Sequence, residues 1–131
     1  MYVNRRQFLA VLLVGCALLL RVDLPAAEHT KDSLDDVRKN VTDKKAVLID
    51  VREQSEWDDG HLDSATLVPL SALKKGEQAD SLPKDRIIYA HCASGKRCLT
   101  AADILKKQGY DVRPLKAGYM DLLKAGFPQA K

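Results

Sequence analysis

The sequence predicts an α/β domain, with a mostly parallel sheet covered by helices on both faces. Three observations carry that expectation. The runs AVLIDV (46–51), ATLVPL (65–70) and RIIYAH (86–91) are short and nearly continuous in apolar residues, the pattern of strands covered on both sides. The stretches between and after them place apolar residues at helical intervals. Strands separated by helices pair in parallel, because each connection crosses the sheet before the next strand begins.

Taken in chain order, residues 1–27 read as a cleavable export signal and not as part of the fold. MYVNRRQ is a short basic segment, FLAVLLVGCALLL (8–20) is an unbroken apolar run, and RVDLPAAEH offers small residues for cleavage near Ala26 or Ala27. As a helix the apolar run reaches about 20 Å, short of a hydrocarbon core of about 30 Å, so no stable membrane span is expected. NRRQFLA, with Arg21 beyond the run, resembles a twin-arginine export motif. The plainer reading is an ordinary basic start to a signal. LVGC (13–16) resembles a lipoprotein box that would lipidate Cys16, but the apolar run continues past it to Leu20. The expected location is therefore exported, and periplasmic in a cell with two membranes.

Residues 28–131 are expected to form one domain. SLDDVRKNV (33–41) sets Leu34, Val37 and Val41 on one helical stripe, with Ser33 placed to cap it. AVLIDV is the first strand and ends at Asp50. EQSEWDDG (53–60) is a short helical turn closed by Gly60. ATLVPL is a second buried strand stopped by Pro69, and RIIYAH a third. KRCLTAADILKKQG (96–109) spaces Leu99, Ala102 and Leu105 for a helix that Gly109 ends. YDVRPL (110–115) is a fourth strand, and Pro114 argues for an edge or interrupted position. MDLLKAGFP (120–128) is a last short helix, ended by Gly126 and Pro128.

Composition is that of a globular domain, with 46% hydrophobic and 30% charged residues. The net charge of +3 is uneven: residues 1–26 hold Arg5, Arg6 and Arg21 against Asp23, leaving 18 basic and 17 acidic side chains in the body. A near-neutral body has no electrostatic footprint for nucleic acid. If Cys16 leaves with the signal, Cys92 and Cys98 remain. In an oxidising compartment such a pair points first to a disulfide.

The competing reading of that pair comes from YAHCASGKRC (89–98). In open α/β sheets the active crevice lies at the carboxyl ends of the strands, where Asp50, Pro69 and Cys92 all fall. The loop ASGKR would wrap the Cys92 sulfur with main-chain N–H groups pointing inward, and Gly95 permits the positive-φ turn this needs. A helix N-terminus and the charges of Lys96 and Arg97 add to the field, and all favour thiolate over thiol. The gain is large: a free thiol with a pKa near 8.5 is about 3% ionised at pH 7, and one near 6.5 about 75%. Such a cradle also binds anions, so it suits a nucleophile that attacks a negatively charged substrate.

These residues resemble the single-domain rhodanese (thiosulfate sulfurtransferase) family, in an exported form. LIDVREQSEWDDGHLDSATLVPL resembles its first signature, CASGKR its active-site loop and LKAGYMDLLKAGFP its C-terminal signature, in the right order and over nearly the whole expected domain. The resemblance implies a rhodanese-like α/β fold with a five-stranded sheet, no cofactor, and a ping-pong mechanism. Cys92 would take the outer sulfur of thiosulfate or a similar small anionic donor, release sulfite, and pass the sulfur from its persulfide to a thiophilic acceptor such as cyanide or a thiol. Ala93, Ser94, Gly95, Lys96 and Arg97 would bind the substrate and the persulfide, with Asp50 and Arg52 supporting the loop. A monomer is expected, and the acceptor could be a protein thiol. The chain departs from the family pattern at Leu122, Ala117 and Cys98, where tryptophan, glycine and serine are usual. The first two positions look like packing. Cys98 could resolve the persulfide, or switch the enzyme off through a disulfide with Cys92.

The plainer readings of other residues are structural. His91 and Cys92 are neighbours on a strand and point to opposite faces, which argues against a Cys–His dyad. A zinc site from His91, Cys92 and Cys98 lacks a fourth ligand, so no metal is expected. His61 resembles the family's turn histidine, Trp57 is read as packing, and Lys44, Lys45, Lys74 and Lys75 as solvated surface. The rival enzyme is a rhodanese-fold cysteine phosphatase or arsenate reductase. Loops of that kind put five residues between cysteine and arginine to cradle an oxyanion, and this chain has four. A persulfide carrier without turnover would use the same loop. A thiol–disulfide protein is disfavoured by the C-x5-C spacing.

Overall fold

The computed structural model describes residues 23–131. Residues 1–22, with Cys16 and the twin-arginine, lipid-anchor and apolar-run readings that fall on them, lie outside it. The described elements are α1 (Leu34–Thr42), β1 (Ala46–Asp50), α2 (Gln54–Asp59), β2 (Ala65–Leu67), α3 (Leu70–Lys74), β3 (Ile87–His91), α4 (Arg97–Lys107), β4 (Val112–Pro114) and α5 (Tyr119–Lys124). No helix among these residues is long and apolar enough to cross a membrane.

The four strands form one sheet in the order β2-β1-β3-β4, every pair parallel. The fifth strand implied by the resemblance is not among the described strands. Its place beside β4 is taken by the segment before α1, where the Thr30 N–H donates to the Pro114 carbonyl at 2.8 Å. β1 and β3 are central and almost wholly buried, as their unbroken apolar runs require. β2 is an edge strand and only half-buried, which corrects the expectation that it is covered on both faces. Its apolar residues belong partly to Val68 and Leu70, which turn inward past its end. β4 is the other edge, where Pro114 costs no ladder bond.

Successive side chains of the central strands serve opposite layers. Leu48 and Tyr89 pack with Val37 of α1 and Leu122 of α5, whereas Ile49, Ile88 and Ala90 pack with Leu73 of α3 and Ala101, Ala102 and Leu105 of α4. The departures at Leu122 and Ala117 fall in the first of these layers and are packing positions. Ser33 caps α1, its Oγ accepting from the Asp36 N–H at 3.1 Å. Helix α3 was not anticipated, because five residues are too few to show a period. It starts at Pro69, which ends the strand segment, and is held there by the Leu70 N–H on the Val51 carbonyl. This arrangement brings the carboxyl ends of β1 and β3 together, with Asp50 in register with His91, and places the start of α4 beside them.

Candidate active site

Cys92 follows the last residue of β3, and α4 begins five residues later. Its side chain is fully buried in the turn between them. Gly95 has φ +82, and its N–H donates to the Cys92 sulfur at 3.1 Å. A methyl group at Gly95 would sit 2.4 Å from the Lys116 carbonyl, so both the backbone angle and the space call for glycine. Gly118 is needed for space alone. Its φ of −84 suits any residue, but an added Cβ would lie 1.9 Å from the Ala93 carbonyl oxygen. The C-terminal signature thus presses its backbone against the cysteine loop, and the Tyr119 N–H completes the seam on the Cys92 carbonyl at 2.9 Å.

The Cys92 thiol is brought down to about 4, well inside the thiolate range at neutral pH. The largest cause is the neighbouring Cys98 thiol. Burial opposes the shift, and the main-chain N–H groups of Cys98, Ser94 and Gly95 add to it. Cys98 is itself fully buried, its Sγ 3.3 Å from the carbonyls of Gly95 and Leu115. Cys92 and burial both push its own thiol upward. Both cysteines are free. The sequence offered Cys98 as a resolving or disulfide-forming thiol; the fold sets its Sγ against two main-chain carbonyls, those of Gly95 and Leu115.

The two cations behave differently from each other. Lys96 is exposed, and Ala93 and Ser94 are exposed beside it. Arg97, half-buried, makes a two-pronged ion pair with Glu56 of α2, at 2.6 and 2.8 Å. That pair locks the loop to α2 and takes up the guanidinium fork. The Arg97 bonds hold the Glu56 carboxyl at about 2, against an ordinary value of 4.5. A depressed acid stabilises the fold fully above 4.5, and its contribution disappears as pH falls toward 2. Urea unfolding should therefore show wild type more stable than Glu56→Gln at pH 6, with the difference closing between about 4.5 and 2.

Behind the loop, Arg52 is buried and chelates the equally buried Asp50 carboxylate at 2.8–3.0 Å. The same Nη2 that bonds Asp50 also donates to the Gly60 carbonyl at 2.8 Å, and the guanidinium carbon stacks 4.2 Å from the Tyr119 ring centroid. The pair therefore ties β1 to the turn after α2 and to the start of α5. His91 is fully buried on the far face of β3 from Cys92, its Nε2 3.7 Å from Asp50. Burial pushes its pKa below the ordinary value, which leaves it neutral and outside any dyad with Cys92. His61 donates from Nδ1 to the Trp57 carbonyl at 2.9 Å and stacks on the Trp57 ring at 3.6 Å, so both are turn structure. Among the described residues no cluster of three His, Cys, Asp or Glu side chains is placed to hold a metal ion. Glu56, Tyr119 and Gly118 were missed as site residues: each acts through a contact distant in sequence, which no local pattern reports.

The fold thus sets a buried cysteine in an amide-lined loop at the carboxyl end of a central parallel strand. The chain belongs to the rhodanese-like domain family, whose model matches residues 33–125. It is 34% identical over 108 residues to the probable adenylyltransferase/sulfurtransferase MoeZ of Mycobacterium tuberculosis, covering 82% of this chain and 26% of that protein. It is 34% identical over 79 residues to the putative sulfur carrier protein YrkF of Bacillus subtilis, covering 60% of this chain and 42% of that protein. The chain thus spans well under half the length of these curated relatives, which include sulfurtransferases and sulfur carriers. The crystal structure of a rhodanese-related protein from Thermoplasma volcanium superposes with a TM-score of 0.63 at 26% identity, covering 74% of this chain and 93% of that one.

Proposed function

We propose that the protein is a thiosulfate sulfurtransferase that works through a Cys92 persulfide. The observation that carries this reading is the Cys92 sulfur, buried in a turn whose Gly95 N–H already points at it and ionised by its neighbours. The thiolate attacks the outer sulfur of thiosulfate, a Cys92 S–S bond forms, and sulfite leaves with the electron pair of the broken S–S bond. The persulfide's outer sulfur carries the negative charge, which the N–H groups of the Ala93–Arg97 loop can hold. A thiophilic acceptor, cyanide or a thiol, then takes that sulfur and returns Cys92 as thiolate. Lys96, exposed at the rim, attracts the anionic donor, while Arg97 serves mainly to brace the loop through Glu56. The same ion pair speaks against an oxyanion-cradling phosphatase, because the fork that would grip the anion is occupied.

The likeness to a putative sulfur carrier favours one second reading, a domain that holds persulfide for a partner protein and turns over poorly with small acceptors. Steady-state assays with thiosulfate as donor separate the two. Turnover with cyanide or a small thiol, lost by at least about a thousandfold in Cys92→Ser, supports the enzyme. A stable persulfide that neither acceptor discharges supports the carrier. We place the mature protein outside the cytoplasm as a monomer, with cleavage at Ala26 or Ala27. The Ala27 main-chain nitrogen lies 2.6 Å from Asp103 Oδ1, so cleavage after Ala26 would create an ammonium already facing a carboxylate.

A further inference from the structure

The segment from Ala27 to Asp32 is strapped across the body of the domain. It is tied at Ala27 to Asp103 of α4, at Thr30 to Pro114 of β4, and at Asp32 to the Tyr89 hydroxyl at 2.7 Å and Arg113 at 3.1 Å. Between these anchors the His29 ring reaches the cysteine loop, with Nε2 2.5 Å from the Gly95 carbonyl oxygen. A carbonyl only accepts, so Nε2 carries the proton and donates it. Gly95 is the residue whose N–H bonds the Cys92 sulfur, and its carbonyl is also within 3.3 Å of Cys98 Sγ. A Cβ on Gly95 would stand 2.4 Å from the Lys116 carbonyl oxygen, so the loop also packs closely against that backbone.

We propose that His29 is a positioning residue for Cys92: by hydrogen-bonding the Gly95 carbonyl it holds in place the residue whose own N–H bonds the sulfur. The peptide that His29 grips is Gly95–Lys96, so it acts on the Gly95 N–H through the conformation of the Gly95 turn, which the bond keeps from rotating. The strap is thereby part of the active site although it lies more than sixty residues from Cys92 in sequence. This inference rests on Cys92 being the reactive thiolate, and it can be tested without any sulfur transfer.

The other titratable or charged groups around the loop are His91 ahead of Cys92, Lys96 in the loop, Arg97 and Cys98 on α4, Glu56 of α2 paired with Arg97, and Lys116 behind Gly95. All are retained in the variants. The experiment is the pH dependence of Cys92 alkylation by iodoacetamide in the full mature domain, comparing wild type with His29→Leu and His29→Gln. Leucine keeps bulk without a donor, and glutamine returns an N–H near the Nε2 position without titrating. His29→Leu is expected to move the alkylation midpoint up by about 0.7 pH, a roughly fivefold loss of reactive thiolate below the midpoint. His29→Gln should restore the wild-type curve. A His29→Leu curve that matches wild type would overturn the proposal, as would a glutamine variant shifted as far as leucine, which would make His29 a packing residue only. Thiosulfate does not enter the assay, so its outcome stands apart from whether Cys92 accepts sulfur.

Discussion

Gly118→Ala is expected to disable the site. The new Cβ would stand 1.9 Å from the Ala93 oxygen and 2.7 Å from its carbon, both backbone atoms that cannot swing aside. Either the start of α5 lifts away from the cysteine loop or the loop itself moves. Overpacking of this kind costs about 1–3 kcal/mol. The chemical loss should exceed the stability loss, because the displaced atoms adjoin the turn that presents N–H groups to the sulfur. Thermal unfolding should show a fall of several degrees. Persulfide formation measured on the still-folded protein should drop by about tenfold or more. A variant with wild-type persulfide formation would mean that the two signatures touch without consequence.

The second large effect concerns the buried pair behind the loop. Asp50 and Arg52 are 0% and 5% exposed, so removing either partner strands a charge in the interior. Asp50→Ala is expected to cost about 3–5 kcal/mol in urea unfolding, chiefly because the Arg52 guanidinium loses its carboxylate while still held over the Tyr119 ring. Asp50→Ala combined with Arg52→Met should be less damaging than the two single changes added together, since no uncompensated charge remains. Additive losses would show that each residue acts independently, against the chelated geometry.

The layout of the sheet was legible because its two central strands are covered on both faces and therefore spell unbroken apolar runs. The same logic failed at β2, whose run includes Val68 and Leu70. These residues are apolar because they pack beyond the strand, not within it. Helix α3 was hidden by its brevity. In the site, Cys92 and Gly95 were readable because the chemistry of an amide-lined turn demands those residue types close together. Arg97 was readable as a cation but not as a brace, because Glu56 meets it from forty-one residues away. Cys98 was singled out for its type, whereas its surroundings, burial with Sγ against the Gly95 and Leu115 carbonyls, appear only in the fold. His29 left no signal at all, since its contact with the cysteine loop joins residues sixty-six apart in sequence.

The most direct test of the account is the intact mass of the reduced mature domain after incubation with thiosulfate, beside Cys92→Ser and Cys98→Ser. The account predicts the gain of a single sulfur atom, removable by reductant or cyanide, in wild type and in Cys98→Ser and absent from Cys92→Ser. No gain in any sample, or a gain that survives in Cys92→Ser, would contradict sulfur capture at Cys92.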